Sequence, residues 1–128
     1  SLKNAYFTGQ KKVDELPAYI TAYDVCINPQ MVNDITDGNY PLKIDEYLAM
    51  GKPTVATSTH TMRHIFADHT HLATNPEEWL SAIDRAVTEA DDKELAKQRI
   101  AFAETHSWGH SVKKIYGIID NFLKEKAT

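Results

Sequence analysis

The stretch YPLKIDEYLAMGKPTVATS, residues 40–58, constrains this chain more than any other. Its pattern predicts a helix with a marked start and stop that runs straight into a buried strand. Pro41 suits the first helical position, where a backbone donor is not needed. Gly51 suits the left-handed residue that closes a helix, and Pro53 forbids continuation. Ile44 and Leu48 are four apart and can face a core. Lys43, Glu46, Tyr47 and Met50 fall at i, i+3, i+4 and i+7, so they share a different face.

A cation in the first turn and a carboxylate one turn later therefore point the same way. The first-turn backbone donors of a helix carry partial positive charge and attract phosphate. Lys43 adds a full charge there, a slightly unfavourable placement that an anionic ligand would explain. Glu46 is acceptor-only when ionised and can hold two vicinal hydroxyls, as on a ribose. Together they describe a nucleotide site. Spacing alone also allows an ordinary exposed i,i+3 ion pair between Lys43 and Glu46, a common arrangement that contributes little.

Composition narrows the class. The 128 residues suffice for a single domain, residues 1–128, with one core. A net charge of −4 gives no electrostatic footprint for nucleic acid. The one cysteine, Cys26, excludes an internal disulfide. It lies in an apolar run and reads as a small core residue rather than a nucleophile. No run approaches the ~20 apolar residues of a membrane span, and no signal peptide is visible. A cytoplasmic protein is expected.

Taken in order, residues 5–9 read as a short strand ending at a glycine turn. Asp14 is the expected cap of a helix that tolerates Pro17 in its first turn. Leu16, Tyr19, Ile20 and Tyr23 recur at helical spacing and should face the sheet. Residues 24–29 form the next strand, and Val25, Cys26 and Ile27 suit one covered on both faces. Strand, helix and strand at this spacing predict a parallel crossover.

Residues 30–40 form a polar loop at the carboxyl end of that strand, where open parallel sheets bind ligands. Asp34 and Asp37 are explained by Asx turns better than by a metal. Asp37, Gly38 and Asn39 are a turn signal whose backbone donors could cradle phosphate or sugar; Asn39 could instead cap the helix. His60 and His64, then His69 and His71, lack the further ligands a zinc site needs and read as solvated or hydrogen-bonded.

A short strand is expected at 71–74. Asn75, Pro76 and Glu78 then mark a helix start. Trp79, Leu80, Ile83, Ala86 and Val87 supply its buried stripe. A charged helix over 93–104 follows, carrying Leu95, Ile100 and Phe102. Ser107 caps a last helix, with Val112, Ile115, Tyr116, Ile119, Phe122 and Leu123 on one apolar face.

Pro41-Leu42-Lys43, then Glu46-Tyr47-Leu48-Ala49-Met50-Gly51-Lys52-Pro53-Thr54-Val55-Ala56-Thr57, resembles the donor-site helix and strand of GT-B glycosyltransferases. The similarity is to the family 4-like enzymes, which read E-A-M-A-x-G-x-P-V-V-A-T, and to a subset reading P-x-K-x-x-E-Y-L-A-x-G-K-P. The resemblance implies that Glu46 binds the ribose of a nucleotide sugar and Lys43 lies near its diphosphate. Many members carry a further glutamate eight residues earlier, contacting the donor sugar; that position is Gly38 here, so the double-glutamate motif is incomplete.

Residues 6–9, 15–19 and 24–29 also resemble the family's upstream sequence. There the loop matching Gly9, Gln10 and Lys11 lies near the base. The segment matching Thr57, Ser58 and Thr59 borders the donor pocket. Those hydroxyls could contact phosphate or simply cap the next turn. Ser107-Trp108 resembles the start of a terminal helix that packs across the domain junction.

The resemblance implies a Rossmann-like parallel sheet flanked by helices, forming the later part of a GT-B donor domain. The N-terminal acceptor domain and the donor domain's first strands are expected to lie outside it. The implied activity is sugar transfer with retention from a nucleoside-diphosphate sugar, needing no metal or other cofactor, in a parent that is cytoplasmic or peripheral at a membrane. No catalytic residue is identifiable. The isolated chain is expected to be inactive and to self-associate through exposed sheet edges. A GT-B-type nucleotide-sugar epimerase and a non-catalytic α/β interaction module are the alternatives.

Overall fold

A computed structural model describes residues 2–128. The elements, in chain order, are α1 (Leu16–Ala22), β1 (Cys26–Asn28), α2 (Leu42–Ala49) and β2 (Thr54–Thr57). A π-helical stretch, Met62–Phe66, runs into a 3-10 turn, Ala67–His69. Then come β3 (His71–Ala73), α3 (Pro76–Thr88), α4 (Lys93–Glu104) and α5 (Trp108–Ala127). The strands form one parallel sheet in the order β1-β2-β3, with Ile27 opposite Val55 and Ala56 opposite Leu72. This is the α/β class expected, a parallel sheet flanked by helices.

The centre is β2, where all four residues are buried. On one face Ala56 packs with Ile44 and Leu48 of α2, Met62, Phe66 and Ala103. On the other, Val55 packs with Ala73 and with Ala82 and Ala86 of α3. A strand covered on both faces loses the alternation of polar and apolar residues, as TVAT does.

α2 ends as its sequence requires. Gly51 adopts φ +73°, a conformation costly for residues with a Cβ. Arg99, buried on α4, donates to the Gly51 carbonyl and pairs with Glu89, which also meets Nε2 of His71 at 2.9 Å. Asn75 caps α3 by accepting from the Glu78 amide at 2.9 Å, while Glu78 accepts from the Thr74 amide.

Several expectations fail. Residues 5–9 form no strand; Tyr6 and Phe7 are exposed, and the segment has no ladder partner. A strand needs a neighbour for its backbone groups, which local pattern cannot supply. Glu15, not Asp14, occupies the α1 cap position, and its carboxylate accepts from the Lys12 amide. β1 is covered on one face only, with Ile27 48% exposed. Pro41 sits one residue before α2, in the cap position, so Asn39 is not the cap. The Asx turn belongs to Asn33, whose Oδ1 accepts from Ile35 and Thr36, whereas Asp37 Oδ1 accepts from the His60 amide. Leu80 and Val87 face solvent on α3.

Candidate functional site

A cleft of about 480 Å³ opens between α1 and α2 beside β1. Tyr19 and Ile20 of α1, with Tyr23 just past its end, form one wall, and Cys26 and Ile27 of β1 contribute the floor. Lys43, Glu46 and Tyr47 of α2 form the other wall. Thr8, Gly9 and Lys11 close one side, and Lys11 Nζ stands 5.1 Å from the centre of the Tyr19 ring.

The wall on α2 follows from helical spacing. Ile44 and Leu48 are drawn wholly into the core, which fixes the rotation of the helix. Lys43, Glu46 and Tyr47 then share the cleft side, while Met50 does not reach it. Among the described residues Lys43 and Glu46 form no ion pair with each other, so both charged ends are free to meet a ligand. Burial raises the Tyr47 phenol pKa, and the negative forms of Cys26 and Glu46 raise it further. Burial also pushes the Cys26 thiol up to about 11, against a smaller downward pull from Lys52. Both groups stay protonated and neutral near pH 7. The arrangement offers an apolar floor between tyrosine-bearing walls, two ammonium groups and one carboxylate. It can hold an anion carrying a flat apolar part and vicinal hydroxyls.

The other candidates scatter. Gly38 and Asn39 are exposed on the loop before α2, outside this cleft. Gln10 does not line it either. Thr57 lies in a second, open cleft of about 620 Å³ at the carboxyl ends of the strands, with Gln30, Thr74 and Trp79. Its hydroxyl accepts from the Gln30 amide at 2.8 Å, so it ties the loop after β1 to β2. The Ser58 carbonyl accepts from Arg63 Nη1 at 2.6 Å.

The histidines go to separate places: His60 stacks on His64 with centroids 4.0 Å apart, His69 stacks on Phe102, and His71 meets Glu89. Among the described residues, no group of three or more His, Cys, Asp or Glu stands together as metal ligands would. No described helix is long and apolar enough to cross a membrane.

Sequence reasoning placed Tyr19 and Tyr23 against the sheet; they line the cleft instead. It also missed a side-chain cluster behind α2, in which Asp45 binds Tyr40 and His106. No local signal could have found His106, which is 61 residues from Asp45.

A three-stranded parallel sheet flanked by helices, with a cation and a carboxylate of one helix face lining a cleft beside it, belongs to the Rossmann-like α/β class. Within it, the family described as glycosyl transferases group 1 matches residues 1–89, which include the whole cleft, and the chain belongs to that family. The chain is also 27% identical over 117 residues to a Bacillus subtilis (strain 168) protein provisionally named teichuronic acid biosynthesis glycosyltransferase TuaH. That alignment covers 89% of this chain and 30% of the relative, so the chain spans about a third of the relative's length. No solved structure matches the chain.

Proposed function

We propose that this chain is the nucleotide-sugar donor-binding part of a glycosyltransferase. Lys43 and the start of α2 hold the diphosphate, and Glu46 holds the ribose hydroxyls. The backbone of Gly9 flanks the base, above the apolar floor and between the tyrosine-bearing walls. The observation that carries this reading is the convergence of Gly9, Lys43 and Glu46 on one cleft. The positive groups there would stabilise a departing diphosphate. Retention of configuration and an acceptor held by another domain of the parent follow from the family resemblance. The relative's name points to bacterial polysaccharide synthesis as the setting.

The test is calorimetric titration of the chain with UDP, GDP and ADP, repeated on Glu46→Ala and Lys43→Ala. A charged hydrogen-bonding partner contributes about 1.5–3 kcal/mol, so each variant should weaken the preferred nucleotide by about tenfold or more. Equal affinities in wild type and both variants would remove the site assignment.

A further inference from the structure

α2 is eight residues long and has no side-chain cap. A helix this short has little stability of its own, so its neighbours must set its position. Ile44 and Leu48 anchor it beneath. Successive residues turn by about 100°, which places Asp45 roughly opposite the centre of the face bearing Lys43, Glu46 and Tyr47. Asp45 is the residue held from behind. Its Oδ2 accepts from the Tyr40 hydroxyl at 2.6 Å, and its Oδ1 lies 2.7 Å from His106 Nδ1. His106 is itself confined by edge-on contacts with Phe66 and Phe102, at centroid distances of 5.6 and 4.6 Å. The His106 and Asp45 side chains are 22% and 19% exposed, so water competes little for this contact.

We infer that Asp45, held by Tyr40 and His106, is the positioning residue that aims Lys43 and Glu46 into the cleft. The inference rests on the donor-site reading above. A helix with its side chains has a radius of about 5–6 Å, so a roll of about 20° would move a cleft-side tip by about 2 Å. That is enough to break a two-oxygen grip on vicinal hydroxyls. The Asp45 side chain lines no part of the cleft, so any effect on a ligand passes through the helix.

The experiment measures the Kd of the preferred nucleoside diphosphate for Asp45→Asn, His106→Leu, His106→Gln, Tyr40→Phe and Glu46→Ala. Titrations are run well below each variant's thermal midpoint, with helix content checked by circular dichroism. Asp45→Asn and His106→Leu should raise Kd by about three- to tenfold, and Tyr40→Phe by less. His106→Gln keeps a donor for Asp45 and should recover most of the loss. A purely structural role would lower the midpoint and leave the Kd of the folded protein unchanged, which would overturn the inference. Tyr40→Phe, the gentlest change, keeps the test decisive if a harsher variant does not fold. Loss of affinity in Glu46→Ala together with wild-type affinity in the Asp45 and His106 variants also defeats it, and leaves the donor site standing. Unchanged affinity in Glu46→Ala removes the donor site first.

Discussion

The helices α2 and α5 are held in opposite ways. α2 has eight residues and no side-chain cap, yet Ile44 and Leu48 are fully buried. α5 has twenty residues and a Ser107 cap, yet not one of its residues is buried. Its seam of Val112, Ile115, Tyr116, Ile119, Phe122 and Leu123 stands in solvent. A short helix exists because the sheet needs its apolar side; a long, capped one can rest more on its own backbone bonds. Periodicity reveals an apolar stripe in both and says nothing of what covers it.

The sharpest way to break this contrast is to remove the same kind of side chain from each. Leu48→Ala opens a cavity in the main core and should cost about 2–5 kcal/mol. Ile119→Ala should change stability by less than about 0.5 kcal/mol. Urea unfolding followed by circular dichroism compares the two. Similar losses would mean that α5 is held by packing after all.

Cysteine chemistry gives a second contrast. Burial raises Cys26 to about 11, which lowers the reactive thiolate fraction at pH 8 by about a hundredfold relative to an ordinary thiol. A cysteine placed at Ile118 on α5, in a Cys26→Ser background, should react with a disulfide reagent at an ordinary rate. The sign for stability follows. The folded state holds the Cys26 proton more tightly than the unfolded chain. Its contribution is therefore complete below the unfolded thiol pKa and is lost as pH rises through about 11. Unfolding midpoints at pH 8, 10 and 11 should fall in that order for wild type, and less steeply for Cys26→Ser. Equal labelling rates at the two positions would show that β1 opens readily.

The C-terminal stop of α2 supplies the third. A Cβ at Gly51 would meet the Ala96 Cβ at 3.1 Å, and the backbone there has φ +73°. Gly51→Ala should therefore cost about 1–2 kcal/mol in backbone strain, plus whatever α4 must give. Gly117→Ala, within α5 and with open space around it, should instead stabilise that helix by up to about 1 kcal/mol. Thermal midpoints moving in the same direction would undo the contrast.

These cases show what was legible. Pro41, Gly51 and Pro53 carry their effect in their own backbone, so the span of α2 could be read to within a residue. The shared face of Lys43 and Glu46 follows from spacing alone, and a common cleft is where the structure places them. Residues 5–9 look like a strand, but strand formation depends on a partner that no local pattern names. Leu80 and Val87 failed as core residues because α3 is buried through the narrow line of Ala82 and Ala86. Thr57 could be read as a ligand hydroxyl or a structural one, and its bond to the Gln30 amide favours the second. The cluster of Tyr40, Asp45 and His106 was out of reach, since only the tertiary fold brings the α4–α5 corner to α2.

The smallest expected effect is at the start of α5. The Ser107 hydroxyl accepts from the His110 amide, and Ser107→Ala should cost about 0.5–1 kcal/mol. Where that cost appears is the informative part. Because nothing on α5 is buried, fraying its first turn exposes little further apolar surface. Hydrogen exchange should therefore quicken over the first turns of α5 while the amides of β2 and α2 keep their wild-type protection. His106 adjoins this cap and meets Asp45, so it is a point where the loss could travel inward. Faster exchange confined to α5 would show that the His106 contact holds without the helix that follows it. Faster exchange in α2 as well would show that the contact depends on α5 being formed, and the two helices would then be less independent than their burial makes them look.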